Sequence, residues 1–175
     1  MNLFRKKIMI SFLTILSILF IFPHISNAFV HYGRGYYHSV VNVNAKILNN
    51  SKYITPYRNA MASWNSATSR IRWGNANASS NLIYVSGWAN VNWFGEYKGF
   101  GSSSNGRATR FTIKINDNNI PGDNRFRQSV IAHEMGHALC LNHTTHHPSI
   151  MNSNRNRRMI ITPFSDDIRG VNYAY

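Results

Sequence analysis

The chain has 175 residues, with 19 Lys+Arg against 6 Asp+Glu, and a formal charge of +13. At 43% hydrophobic and 13% aromatic it carries material for one apolar core, which excludes a disordered chain and leaves too little length for two comfortable domains. The lone cysteine, Cys140, excludes an intrachain disulfide framework and any cysteine-rich zinc module, and six acids, only two of them glutamates (Glu96 and Glu134), leave calcium cages unexpected.

The chain opens with a targeting pattern. Arg5, Lys6 and Lys7 form a positive start, residues 8–22 are apolar, and Ser26-Asn27-Ala28 offers small residues for a signal peptidase. The apolar run is short for a membrane anchor. Residues 1–28 are therefore read as a signal peptide cleaved after Ala28, with residues 29–175 as a single secreted, extracellular domain. Removing the three signal cations lowers +13 to +10.

Along the remaining chain, Val41, Val43, Ala45 and Ile47 alternate within residues 38–48 and predict a half-buried strand. Thr55-Pro56 reads as a helix start, a hydroxyl cap followed by proline in the first helical position. The stripe Tyr57, Ala60, Met61, Trp64 and Ala67 then recurs at helical spacing and predicts a core face. Short strands are expected at residues 71–73 and 82–85, and a glycine-serine loop at residues 95–106. Phe111, Ile113 and Ile115 alternate with polar residues and predict a strand. Residues 118–124 form a turn around Pro121-Gly122. Helices are expected over about 125–141 and 165–174, the last capped by Ser165 with Asp166 and Asp167 in its first turn.

The segment from His133 to His143 carries the chemistry. Helical residues four apart lie about 40° apart around the axis and about 6 Å along it, so His133 and His137 can face one metal ion. Glu134 projects beside that metal and can take a proton from the attacking water. A third ligand would leave zinc one open tetrahedral position. No glutamate follows Glu134, which excludes a downstream glutamate ligand. His143 lies just past the expected helix end, where a sharp turn would return it to the metal; His146 and His147 are the nearest substitutes.

This spacing resembles the metzincin metallopeptidase motif HExxHxxGxxH, with Cys140 where that family has glycine. Glycine there lets the chain turn through a left-handed conformation that costs a residue with a Cβ roughly 1–2 kcal/mol. Cys140 is expected to be a buried small hydrophobe, not a ligand. Ser149-Ile150-Met151 resembles the methionine turn of the matrixin branch, in which Met151 would floor the zinc site without binding metal. The run from Asp166 to Tyr173 resembles the matrixins' closing helix, and residues 58–73 their first helix and following strand.

The resemblance implies an α+β, metzincin-like fold, with a twisted mixed sheet, a first long helix, an active-site helix and a C-terminal helix. It implies a secreted zinc-dependent endopeptidase with one catalytic Zn2+ on His133, His137 and His143, Glu134 as general base, and protein or peptide substrates. The strand at residues 110–116 is a candidate upper rim for an extended substrate, or else an ordinary internal strand. In matrixins a trimmed N-terminus can pair with an acid of the closing helix; Asp166 would be that acid for Phe29, unless both aspartates merely cap the helix.

Several family features are not expected. Residues 95–124 contain no histidine and three acids, so structural zinc or calcium is not expected. A propeptide with a cysteine switch is not expected either, because the sole cysteine lies inside the motif. No tyrosine ligand is assigned, since Ser153 stands two residues after Met151. Arg155, Arg157 and Arg158 are expected to form a solvated basic loop, the alternative being a preference for acidic substrates. A monomer is expected, with non-specific attraction to anionic surfaces but no specific nucleic-acid recognition. The alternatives in function are a secreted cationic binding protein for anionic cell-surface polymers and a metzincin fold with little activity.

Overall fold

The computed structural model describes residues 29–30 and 33–175, so the signal-peptide reading of residues 1–28 lies outside the described residues. In chain order the elements are β1 (Val40–Ala45), a 3-10 turn (Lys46–Asn49), α1 (Ser51–Ala67), β2 (Arg72–Asn75), β3 (Leu82–Ser86), β4 (Gly95–Phe100), β5 (Arg110–Asn116), α2 (Asn124–Ala138) and α3 (Ser165–Ala174). The sheet order is β2-β1-β3-β5-β4. All pairs are parallel except β4 with β5. This is the α+β arrangement with a mixed sheet that the sequence predicts.

Alternation drives the sheet. Val41 and Val43 of β1, and Phe111, Ile113 and Ile115 of β5, are fully buried, each inward aliphatic contributing about 1.5–3 kcal/mol. Ile47 also reaches the core, but from the 3-10 turn, because β1 ends at Ala45. Helix α1 starts a turn before the Thr55-Pro56 signal. The Asn50 side chain accepts from the Lys52 amide and caps the helix there. Pro56 then falls in the second turn, where its missing N–H deprives only the Lys52 carbonyl of its helical partner. Tyr53, Tyr57, Ala60 and Trp64 form the buried face, and Trp64 Nε1 donates to the Ala132 carbonyl at 2.9 Å, fastening α1 to α2.

The glycine-serine loop expected at residues 95–106 is only half loop. Residues Gly95–Phe100 form β4, paired from Gly95↔Ile115 to Phe100↔Arg110. Its glycines mark close approaches, not turns. A Cβ on Gly95 would lie 2.6 Å from Glu134 Cγ, and one on Gly99 would lie 2.8 Å from Ala108 Cβ. The turning glycines are Gly101 and Gly106, with φ of 70° and 79°. In consequence β5 is internal, flanked by β3 and β4, and not a cleft rim; the edge strand on that side is β4.

At the last helix the cap shifts by one residue. Phe164 occupies the N-cap position, and the Asp167 carboxylate accepts from its backbone N–H at 2.8 Å. Ser165 is the first helical residue.

Candidate metal centre and active-site cleft

Helix α2 is capped by Asp123, whose side chain accepts from the Phe126 amide at 2.8 Å. From this start the helix carries His133, Glu134 and His137 toward one cleft of about 470 Å³. It ends at Ala138, three residues before the expected boundary, in a tight C-terminal turn. Leu141 N–H donates to the Gly136 carbonyl at 3.0 Å and Cys140 N–H to the His137 carbonyl at 3.1 Å. That pairing places Cys140 in the left-handed region, at φ 68°. The turn is thus built with the usual geometry at a strained residue.

The turn brings His143 back. His143 Nε2 lies 3.1 Å from His133 Nε2 and 3.2 Å from His137 Nε2. His133 Nδ1–H donates to the Ile150 carbonyl and His137 Nδ1–H to the Leu141 carbonyl, both at 2.8 Å. Since a carbonyl only accepts, each of these imidazoles carries its proton on Nδ1 and turns a lone pair on Nε2 inward. Lone pairs converging at these separations call for a cation. The tetrahedral edge for zinc–nitrogen bonds of about 2.0–2.1 Å is about 3.3 Å, close to what is observed. The residues therefore fit zinc. Among the described residues this triad is the one group of three or more His, Cys, Asp or Glu able to hold a metal. His147 Nε2 instead faces the Asn152 side-chain amide at 3.0 Å.

Electrostatics keep the triad neutral. Burial lowers His133 well below its ordinary value, with Arg155 adding to the effect. Burial also lowers His137 from 6.5 to about 4 and depresses His143. Glu134, 5% exposed, is pushed by burial up to about 8, against the opposing pull of Arg155 and the Tyr97 backbone N–H.

Met151 is 2% exposed and packs against α2, where a Cβ on Gly136 would lie 2.4 Å from its sulfur. Glycine in mid-helix thus makes room for the methionine. The turn holding Met151 is fixed by Asp167, a residue sequence reasoning treated only as a helix-start acid. Its carboxylate accepts from Ser149 Oγ at 2.6 Å, Ile150 N–H at 2.9 Å, Met151 N–H at 3.4 Å and Phe164 N–H at 2.8 Å. Burial raises the Asp167 carboxyl and these four donors pull it back. Ile150 therefore links Asp167 on one side of its backbone to His133 on the other.

Asp166 is also fully buried. Its Oδ1 accepts from Arg169 at 2.9 Å, while Oδ2 is buried without a hydrogen-bond partner among the described residues. Phe29, Val30, Leu141 and Asp166 share one small cavity. The basic loop departs from expectation: Arg155 is only 4% exposed, Arg157 is half-buried, and Arg158 is exposed and paired with Asp123 at 2.9 Å.

Residues 36–175 match the family model described as Matrixin. The chain belongs to the matrixin family. A comparison with curated proteins returns no match. The family is one of zinc-dependent metalloendopeptidases acting on proteins or peptides, and the histidine triad of this matrixin has the donor set that such a metal needs.

Cys140 is this matrixin's departure from the motif, and its energetics are testable. The side chain is fully buried, with Sγ 3.6 Å from Tyr175 Oη and 3.9 Å from the Tyr36 carbonyl. Cys140→Gly removes a left-handed penalty of about 1–2 kcal/mol and loses a burial term of similar size, so stability should change by under about 1 kcal/mol. Cys140→Val keeps the penalty, adds a β-branch and overpacks the site, and should destabilise by about 2 kcal/mol or more. Urea unfolding of the two variants checks the contrast; equal stabilities would contradict the strained-turn account.

Proposed function

We propose that this matrixin is a secreted endopeptidase that uses one zinc ion on His133, His137 and His143. The observation that carries the reading is the convergence of three imidazole nitrogens beside the buried Glu134 in one cleft. Zinc held there would acidify a water molecule and polarise the scissile carbonyl. Glu134 takes the water's proton and passes it to the leaving amine. Burial raises this carboxyl from its ordinary value, which suits it to hold the proton between the two transfers. The Tyr97 N–H orients that carboxylate, and Gly95 leaves room for it. Strand β4 presents the sheet edge at the cleft, where an extended substrate adds as a further strand. Met151 floors the site from below.

Cleavage after Ala28 would export the chain and free the Phe29 ammonium, for which Asp166, with its unpartnered buried Oδ2, is the partner. The exported chain acts as a monomer, and its net charge of +10 attracts it to anionic surfaces. No structural zinc or calcium is assigned. The test is digestion of a proteome-derived peptide library by zinc-loaded protein beginning at Phe29, alongside a form with one extra residue before it. Internal cleavage that stops with a chelator is expected, with lower activity and melting temperature in the extended form. No cleavage overturns the peptidase reading; identical behaviour of the two forms overturns the ammonium pairing alone.

A further inference from the structure

The six acids of the chain are almost all committed. Asp117 pairs with Lys52, Glu96 with Lys114, Asp123 with Arg158 and Asp166 with Arg169, while Asp167 holds the methionine turn. Glu134 alone remains, in the cleft. Two arginines line that cleft beside it, and among the described residues neither is within ion-pair distance of a carboxylate.

Arg155 is 4% exposed and, among the described residues, hydrogen-bonded only to neutral acceptors: Nε to Ser129 Oγ at 3.1 Å, Nη1 to the Asn152 carbonyl at 3.0 Å and Nη2 to the Ser129 carbonyl at 3.0 Å. A guanidinium has five donors, so two stay beyond these bonds. Arg157 donates from Nη2 to the Ser153 carbonyl at 3.0 Å, and its Cζ lies 4.7 Å from the Phe94 ring centroid. Its Nε is buried with no hydrogen-bond partner among the described residues. Burying a cation without an anion costs several kcal/mol, an arrangement that a stable core does not need. Both side chains line the cleft, Arg155 buried and Arg157 half-buried. They have the fork geometry that takes a carboxylate through two parallel hydrogen bonds.

Their position relative to Glu134 sets which substrate residue they meet. Glu134 delivers its proton to the departing amine, so the residue supplying that amine sits on the Glu134 side of the scissile bond. We propose that Arg155 and Arg157 form a cationic specificity pocket that selects Asp or Glu as the residue whose amide nitrogen is released. The proposal rests on the peptidase reading above.

Two peptide hydroxamates that differ only at that side chain, glutamate against glutamine, test it by calorimetric binding to the zinc-loaded protein. A leucine analogue serves as apolar reference. The glutamate analogue should bind at least about tenfold tighter than either, with the advantage shrinking at high salt. Arg157→Ala should remove most of the preference, and Arg157→Lys should retain part of it, while affinity for the glutamine analogue changes little. Arg157 serves as the principal variant because Arg155→Met also removes the three hydrogen bonds by which Arg155 ties its loop together and to α2. Equal or tighter binding of the glutamine or leucine analogue overturns the pocket assignment. Hydroxamate binding does not require turnover. A glutamate preference without hydrolysis of any peptide would therefore overturn the peptidase reading alone, and binding of none of the analogues would overturn both.

Discussion

Glu134→Ala is expected to lower hydrolysis by roughly 10²- to 10⁴-fold while leaving zinc content unchanged. Glu134 lines the cleft beside the triad but is not a member of the metal-binding group, so its loss removes no ligand. Stability should change little. The substitution frees a buried carboxyl whose desolvation is unfavourable, and that gain offsets the loss of its bond from the Tyr97 N–H. Glu134→Gln keeps the shape and removes the base, so it should be as inactive as alanine. Glu134→Asp draws the carboxylate back by one methylene, about 1.5 Å, a misplacement that should still cost about 10²-fold. The check is peptide turnover with zinc analysis on the same samples. Turnover retained in Glu134→Ala would remove Glu134 from the mechanism.

The second large effect belongs to a residue that touches no metal. Asp167→Ala deletes an acceptor shared by Ser149, Ile150, Met151 and Phe164; the Met151 N–H keeps its bond to Ser149 Oγ at 2.9 Å, while the Ser149 hydroxyl and the Ile150 and Phe164 N–H groups lose this acceptor. Each hydrogen bond to a charged group contributes about 1.5–3 kcal/mol, and the three act as one unit, so the net loss should be about 3 kcal/mol or more. The damage then travels one residue. With Ile150 no longer held through its N–H, its carbonyl cannot fix His133 Nδ1, and zinc affinity should fall by about 10- to 100-fold. Asp167→Asn should fare only modestly better, because its amide group turns N–H donors toward other donors. Urea unfolding read with a zinc titration separates the two effects. Stability within about 1 kcal/mol of wild type would contradict a structural role for this carboxylate.

Local patterns in the chain predicted much of this arrangement. The alternation in β1 and β5, the aromatic face of α1 and the helical spacing of His133 and His137 are all set by neighbours in sequence, and each is where the pattern puts it. The return of His143 was also legible, because the expected helix end leaves little slack for a residue six positions beyond His137. What escaped is non-local. Gly95 and Gly99 read as loop because nothing nearby in sequence reveals that Glu134 and Ala108 will crowd them. Asp167 reads as a helix-start acid because its other partners lie in a loop 16 to 18 residues away. Arg155 reads as solvated because its neighbours are polar, yet Ser129 on α2 draws its guanidinium inward. The motif position held by Cys140 announced its own strain, since only the glycine it replaces enters the left-handed region freely.

The central claim is that three histidines, and no other residues, hold one catalytic zinc. Zinc content after dialysis, combined with X-ray absorption at the zinc edge, tests it most directly on wild type and His143→Ala. Wild type should carry one zinc per chain with three nitrogen ligands at about 2.0–2.1 Å, and His143→Ala should lose stoichiometric zinc. Full zinc retention by His143→Ala, or sulfur in the wild-type coordination shell, would contradict it.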